Sequence, residues 1–233
     1  MVVAGESIIR NLLYGKLDCD KFGGRMMIGY LPDSFGQSAA MPKILNGFGI
    51  DKSLFWRGYS KRLGITKTEF LWEADDGSLT TVQLLPINYS VGITIPKDAK
   101  KIRERFDKAL PLLDKHSTTG DLLVPNGHDQ MPVQQDIFEI MDIMRKEYSD
   151  YEVKLSSYEN QYENIDKNSL YKLKGELLDG KHQRIHRSIY SSRADLKSAN
   201  TRIENKIANI LEPIASICYS LGFDYQSGTI EQI

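Results

Sequence analysis

Short apolar runs bounded by turn-forming residues recur along the first 155 residues of the chain. Runs of this length, rich in β-branched and aromatic side chains, predict β-strands. The predicted strands and apolar runs are Val2–Ala4, Met26–Leu31, Ser53–Trp56, Glu69–Trp72, Leu79–Leu85, Leu122–Val124 and Tyr151–Val153.

Apolar residues at helical spacing predict three helices among these runs. One passes through Ile8–Leu13 with Ser7 as its N-cap, one spans Ala99–His116, and one passes through Ile137–Met144. Strands that alternate with helical stretches are typical of βαβ units and of a largely parallel sheet. The pattern therefore predicts an α/β domain over residues 1–165.

The pattern changes after about residue 165, where strand signals fade. Residues Arg184–Leu221 consist almost entirely of good helix formers, which predicts a helical region over 166–233. Its basic residues are spaced as on a solvated helical face, and no aromatic interleaving favours a nucleic-acid surface. His182 and His186 have the i,i+4 spacing that can bind zinc on a helix, although no Glu lies between them.

Composition is that of an ordinary soluble protein. The 233 residues are 41% hydrophobic and 26% charged, and the formal net charge of −1 points to no polyanionic or polycationic partner. Cys19 and Cys218 are far apart in sequence and are expected to be reduced thiols. No apolar run reaches the roughly 18 residues of a membrane span, and no basic region follows Met1. We therefore expect a cytoplasmic protein that binds neither membranes nor nucleic acid.

Two aspartates follow predicted strands in a similar way. Asp33 comes directly after the run Met26–Leu31, and Asp129 lies in the loop after Leu122–Val124. The carboxyl ends of parallel strands are where α/β folds place their chemistry. Two such carboxylates are the minimum for glycoside hydrolysis, although Asp is also common in these loops as a helix cap.

Longer motifs around both aspartates resemble glycoside hydrolase family 38, the retaining α-mannosidases of bacterial type. The segment Gly29–Ser38 is similar to the family's nucleophile segment, and Asn126–Gln130 is similar to its acid/base loop. Phe55–Gly58 resembles the strand that follows the nucleophile, and Gly175–Asn200 resembles the start of the family's helical bundle. The resemblance implies an incomplete parallel (β/α) barrel followed by the beginning of an α-helical bundle.

The resemblance also implies roles for individual residues. Asp33 would be the nucleophile and a zinc ligand, and Asp129 the general acid/base. Arg57 would lie beside the nucleophile, with an ordinary structural salt bridge as the alternative. His128 would support Asp129, unless it is only a loop histidine. Tyr89 is a candidate for stacking on the sugar, or else a core aromatic residue.

The family's remaining zinc ligands, a His-x-Asp pair and a further His, have no counterpart in this sequence. We therefore expect the chain to be a central fragment of a family enzyme, without zinc of its own and inactive alone towards mannosides and oligosaccharides. An incomplete barrel would leave strand edges unpaired, which favours a homo-oligomer. The alternative is a non-enzymatic remnant, or a carbohydrate-binding module without metal.

Overall fold

A computed structural model describes residues 3–230, which form two units. The sheet unit comprises residues 25–186, and the helical unit comprises the described residues 3–24 and 187–230. Val2, part of the predicted run Val2–Ala4, lies outside the described residues. The predicted domain boundary after residue 165 stays a prediction.

The sheet unit contains one five-stranded, mostly parallel sheet. The strands are β1 Gly29–Leu31, β2 Lys52–Phe55, β3 Glu69–Glu73, β4 Leu79–Leu84 and β5 Lys172–Lys174. Their order in the sheet is β1-β2-β4-β3-β5, and three of the four pairings are parallel; β3 and β4 are antiparallel. The α/β prediction is confirmed, whereas the barrel and the bundle stay predictions.

Both faces of the sheet are buried. Successive side chains along the central strands point to opposite faces, and each face packs against its own hydrophobic cluster. Leu54 of β2 packs in one cluster with the segment that contains Tyr162, whereas Phe55 packs in another cluster with the helix that contains Leu45. Strands buried on both faces appear as continuous apolar runs, which explains why the sequence pattern located them.

Three helices complete the sheet unit. They are α2 Met41–Gly47, α3 Ala99–His116 and α4 Ile137–Glu147. The predicted bounds of α3 are confirmed, and the Asp98 side chain caps its first turn by accepting a 2.9 Å hydrogen bond from the Lys101 N–H. Helices α3 and α4 share a hydrophobic cluster built on Phe106 and Ile140.

Two strand predictions were wrong. Leu122–Val124 is not a strand, although Leu122 and Val124 pack against one cluster and Leu123 against another. Its alternation of side chains is strand-like, but it pairs with none of the five strands of the sheet. Tyr151–Val153 also lacks strand structure, and Val153 packs beside the α3–α4 cluster.

The segment after residue 170 contains a strand that the pattern did not indicate. Strand β5 pairs with β3 on an edge of the sheet, where its lysines stay exposed and no apolar run is required. The chain then forms isolated β-bridges with the loops that follow β1 and β2, from Leu177 to Gln37 and from Asp179 to Gly58. His182 and His186 do not lie on a helix, so their i,i+4 spacing does not create a helical zinc site.

The helical unit contains the remaining helices. They are α1 Gly5–Lys21, α5 Ala194–Lys206, α6 Glu212–Ser220 and α7 Ser227–Ile230, with a π-helical turn at Ile207–Leu211. Ser7 is not the N-cap of α1, because the helix begins earlier and Ala4 occupies that position. The Ser7 hydroxyl instead donates a 2.6 Å hydrogen bond to Glu204. Between residues 3 and 230, no helix has the length and apolar character that spanning a membrane requires.

Candidate active site

Three adjacent parallel strands end on the same edge of the sheet. Strands β1, β2 and β4 run in one direction and are neighbours in the sheet. Asp33 follows β1, Arg57 follows β2, and Tyr89 follows β4. Because the carboxyl ends of parallel strands meet at one edge, the chain places these three side chains at a shared site.

Asp33 and Arg57 form an ion pair through the carboxylate Oδ1 and the guanidinium Nε. The guanidinium also donates a 2.7 Å hydrogen bond to the Arg184 carbonyl, and it lies 4.1 Å from the centre of the Trp56 ring. The Arg57 side chain is 11% exposed and that of Asp33 is 40% exposed. Arg57 is therefore held on several sides, whereas Asp33 remains open to a substrate.

Two glycines let a later segment approach the site closely. Gly36 lies three residues after Asp33, Gly58 follows Arg57, and both have positive φ, at 107° and 98°. A Cβ atom on Gly58 would overlap the Leu177 carbonyl oxygen, and one on Gly36 would overlap the Leu178 side chain. The segment from residue 177 to residue 186 is therefore seated directly against both strand-end loops.

Asp129 reaches the site from a loop rather than from a strand of its own. The Asn126 amide donates hydrogen bonds to the Gly92 carbonyl at 2.6 Å and to the Gln134 side chain at 3.1 Å. The Gly92 N–H in turn donates to the Pro125 carbonyl. These contacts fix the loop that carries Asp129. Because Leu122–Val124 is not a strand, the prediction that Asp129 follows a strand was wrong.

Tyr89 is hydrogen-bonded to Asp129 and is influenced by the charge of Asp33. Its hydroxyl donates a 3.2 Å hydrogen bond to Asp129, and its ring packs edge-on against Trp56 at 5.4 Å. The pKa of Tyr89 is raised, first by burial and then by the negative charges of Asp33 and Asp129, while Arg57 opposes the shift. All three charged groups are therefore close enough to act on one phenol.

His128 packs against the same phenol. Its ring centre lies 5.6 Å from that of Tyr89 at an angle of 33°, and the side chain is exposed. The predicted supporting role of His128 and the stacking role of Tyr89 stay predictions. The structure adds a hydrogen bond from Tyr89 to Asp129 that the sequence did not indicate.

A cavity of about 230 Å³ lies beside Asp129. Two prolines and Gly127 form part of its wall, and the other lining residues are Tyr30, Tyr89, Asn126, His128, Asp129 and Tyr158. Tyr30 and Tyr158 were not predicted as site residues from the sequence. Tyr30 could have been found inside the Gly29–Ser38 motif, whereas Tyr158 lies in a stretch without any recognisable pattern.

The described residues do not by themselves fit the zinc site that the resemblance implies. A zinc site in an enzyme needs three protein ligands in addition to an open position. Within residues 3–230, no group of three or more His, Cys, Asp or Glu side chains is placed to hold a metal ion. The ligand role of Asp33 stays a prediction, and the reaction derived below uses no metal.

Comparison with known families decides the relationship. Residues 1–185 match the family described as "Glycosyl hydrolases family 38 N-terminal domain". The chain belongs to this family. The predicted membership of family 38 is thereby confirmed, and a glycoside hydrolase of the α-mannosidase type is indicated at the level of the family.

Similar family 38 proteins are much longer than this chain. A putative mannosylglycerate hydrolase of Halalkalibacterium halodurans is 32% identical over 91% of the chain and 26% of its own length. Alpha-mannosidase G of Dictyostelium discoideum is 25% identical over 92% of the chain and 19% of its own length. The chain thus spans about a quarter or less of these relatives.

A solved family 38 structure has the same fold. The crystal structure of an alpha-mannosidase from Enterococcus faecalis superposes with a TM-score of 0.88 and 26% identity, over 99% of this chain and 27% of that one. A second family 38 structure from Enterococcus faecalis, with a TM-score of 0.74 and 23% identity, supports the fold alone.

Proposed function

We propose that this chain supplies the two catalytic carboxylates of a retaining α-mannosidase. One observation carries the proposal: an unbroken series of side-chain contacts joins the two aspartates. Asp33 pairs with Arg57, Arg57 stacks on Trp56, Trp56 packs against Tyr89, and Tyr89 donates its hydroxyl hydrogen to Asp129. Two carboxylates that act on one glycosidic bond are the apparatus of glycoside hydrolysis.

In the first half of the proposed reaction, an Asp33 carboxylate oxygen bonds to the anomeric carbon of the mannoside. The bond from that carbon to the leaving-group oxygen breaks, and this oxygen takes the proton of Asp129. Arg57 orients Asp33 from the side that faces away from solvent. The products are a mannosyl ester of Asp33, an ionised Asp129 and a free alcohol.

In the second half, Asp129 takes a proton from a water molecule whose oxygen bonds to the anomeric carbon. The ester bond to Asp33 breaks, which releases mannose with its original stereochemistry and restores both carboxyl groups. The Tyr89 hydroxyl donates to the ionised Asp129 between the two halves. Carboxyl groups that act in this way are expected about 5–5.5 Å apart.

The proposed substrates are α-mannosides, in a cytoplasmic setting that suits two free cysteines. The similar proteins are called alpha-mannosidases or a putative mannosylglycerate hydrolase, which supports mannose as the cleaved sugar. Their greater length supports the expectation that this chain needs further protein to act. The zinc that the resemblance implies stays an expectation, with Asp33 as its ligand from this chain.

The test uses a chimera in which this chain replaces the equivalent quarter of the Enterococcus faecalis enzyme. We expect zinc-supplemented chimera to hydrolyse an aryl α-mannoside, and the chain alone to be more than about a thousandfold slower, a loss of ~4 kcal/mol. In the chimera, Asp33→Asn and Asp129→Asn should each remove turnover, whereas Asp150→Asn, at an exposed aspartate of the sheet unit, should not. Full turnover by the Asp33→Asn chimera would exclude the proposed nucleophile.

The alternative, a carbohydrate-binding remnant, predicts a different result. Such a chain would bind mannosides, but its chimera would not turn over even though it is folded and zinc-loaded. Proton NMR of the first-formed mannose also separates the mechanisms, because a retaining enzyme releases the α-anomer first.

A further inference from the structure

The cavity beside Asp129 is placed to receive the leaving group of the substrate. Asp129 lines this cavity and Asp33 does not. In the reaction proposed above, on which this inference rests, Asp129 protonates the leaving-group oxygen while Asp33 attacks the sugar carbon. A wall that carries the acid without the nucleophile therefore faces the leaving group.

The cavity is small. Its volume of about 230 Å³ lies below the ~300–1,000 Å³ of pockets that enclose drug-sized ligands. A single small unit, such as one sugar ring or a three-carbon polyol, is the size of group that such a space can enclose. The volume alone does not distinguish a neutral unit from a charged one.

The walls are rich in neutral hydroxyl groups. Tyr30 and Tyr158 stack with ring centres 5.1 Å apart, and the Tyr158 hydroxyl donates a 3.4 Å hydrogen bond to that of Tyr30. A hydroxyl that accepts a hydrogen bond keeps its own proton for another acceptor. Burial first, and then the hydrogen bond with Tyr158, raise the pKa of Tyr30, so its phenol remains neutral at physiological pH. These groups suit the hydroxyl oxygens of a polyol.

The described walls carry no permanent positive charge that could pair with an anion. Among the described residues that line the cavity, Asp129 is the one acid, and none is Lys or Arg. Arg57, whose charge reaches Tyr89, is already paired with Asp33. A carboxylate in this cavity would lose water without gaining a cation, and it would face an ionised Asp129 once the proton has been transferred.

We propose that this cavity selects a neutral, hydroxyl-bearing leaving group and discriminates against one that carries a carboxylate. This selectivity differs from the one that the name of the Halalkalibacterium relative, putative mannosylglycerate hydrolase, suggests, because glycerate is an anion. The site accepts α-mannosides of sugars and polyols, and it disfavours those of hydroxy acids.

The experiment compares two ligands that differ in one group, 2-O-α-mannosylglycerol and 2-O-α-mannosylglycerate. Binding to the full chain is followed through ¹³C-labelled tyrosine rings by NMR at pH 8, above the ordinary histidine pKa of about 6.5. We expect the neutral ligand to bind at least about tenfold more tightly than the anionic one. The chimera is then assayed for kcat/KM on the same pair.

Two variants place the same new charge at different positions. His128→Lys adds a cation to the cavity wall and should reduce the ratio of the two ligands' affinities about threefold or more. Gln135→Lys adds a cation at an exposed residue outside the lining and should leave the difference unchanged.

Each outcome decides a different claim. Equal binding, or tighter binding of the carboxylate ligand, overturns the selectivity inference; Asp33-dependent turnover in the chimera would then still support the proposed mannosidase. If neither ligand perturbs any tyrosine, the leaving-group assignment of the cavity is wrong. If the neutral ligand binds preferentially but the chimera has no Asp33-dependent turnover, the cavity selectivity stands and the proposed function fails.

Discussion

Tyr89 lies within reach of three charged groups, and its ionisation can be measured without any catalytic activity. Burial raises the pKa of Tyr89 most, and the charges of Asp33 and Asp129 raise it further. We expect Asp33→Asn and Asp129→Asn each to lower the pKa of Tyr89 towards its ordinary value of about 10, because each removes a negative charge. The measurement is an NMR pH titration of the Tyr89 ring.

The same titration contains a control of opposite sign. Arg57 opposes the shift, so Arg57→Gln should raise the pKa of Tyr89 further. Asp150→Asn should leave it unchanged. A Tyr89 pKa that responds to neither Asp33→Asn nor Asp129→Asn would mean that the two carboxylates do not share a site.

Arg57 is expected to matter through position as well as charge. Its guanidinium pairs with Asp33, donates to the Arg184 carbonyl and stacks on Trp56, and an ammonium group cannot reproduce this planar arrangement. We expect Arg57→Lys to lower kcat of the chimera by about a hundredfold, the effect of a catalytic group displaced by about an ångström. Arg145→Gln, at an exposed arginine of α4, is the control. An Arg57→Lys chimera with normal kcat would mean that the pair of Arg57 and Asp33 is an ordinary structural salt bridge.

At the scale of residues, the sequence located what lies inside motifs. Asp33, Arg57 and Asp129 were singled out, and the structure brings them around Tyr89. The hydrogen bond from Tyr89 to Asp129 could not be predicted, because it joins residues 40 positions apart whose loops have no regular geometry. Tyr158 was invisible for the same reason.

At the scale of elements, Gly58 allows the later segment to pack against the site. A side chain there would be strained by a φ of 98° and would also overlap the Leu177 carbonyl. Gly64 has a similar φ of 78° but open space around it. We expect Gly58→Ala to lower the free energy of unfolding by about 3 kcal/mol or more, and Gly64→Ala by about 1 kcal/mol. Urea denaturation measures both, and equal losses would mean that the close contact contributes nothing.

Asp179 anchors this segment in a pH-dependent way. The Arg62 guanidinium first, then the Ser60 hydroxyl and the Lys181 N–H, lower the pKa of Asp179 to about 2. A lowered folded-state pKa stabilises the fold above the unfolded value of about 3.9, and this stability is lost as the pH falls towards 2.

We therefore expect Asp179→Asn to destabilise the sheet unit by about 1–2 kcal/mol at pH 7, a modest amount because Arg62 is exposed. The difference from the parent chain should shrink as the pH falls from about 4 to about 2. Urea midpoints across this range test it, with Asp150→Asn as the control. A difference that does not change with pH would remove the carboxylate charge from the explanation.

Sequence patterns predicted the elements whose own side chains are buried. Strands β2, β3 and β4 and helix α3 are continuous or periodic in apolar residues, and all four were located. Strand β5 was missed because an edge strand with exposed lysines needs no apolar pattern. The run Leu122–Val124 was taken as a strand because burial on two sides is the same signal with or without a hydrogen-bonded partner.

At the scale of the whole molecule, the helical unit exposes much apolar surface. Helices α1, α5 and α6 bury none of their residues, and Ile203, Ile210 and Ile217 are each more than half exposed. Exposed apolar surface of this kind favours association. We expect light scattering at high concentration to find a dimer of the chain formed through this surface.

Charged substitutions separate this surface from the rest of the chain. Ile203→Lys combined with Ile217→Lys should give a monomer, whereas Leu112→Lys, on the exposed side of α3 in the sheet unit, should leave the dimer intact. A parent chain that stays monomeric would contradict the prediction, as would a dimer that persists in the double variant.

The contacts of Leu177 and Arg184 with the strand-end loops also set an order of events during synthesis. The loops that carry Asp33 and Arg57 leave the ribosome about 120–140 residues before the segment that holds them in place. Amino-terminal parts of a chain fold first, and contacts between distant residues form slowly. A nascent chain released before residue 186 should therefore have most of its sheet but loosely held loops around Asp33 and Arg57, and the candidate site should become organised only after this segment has been made.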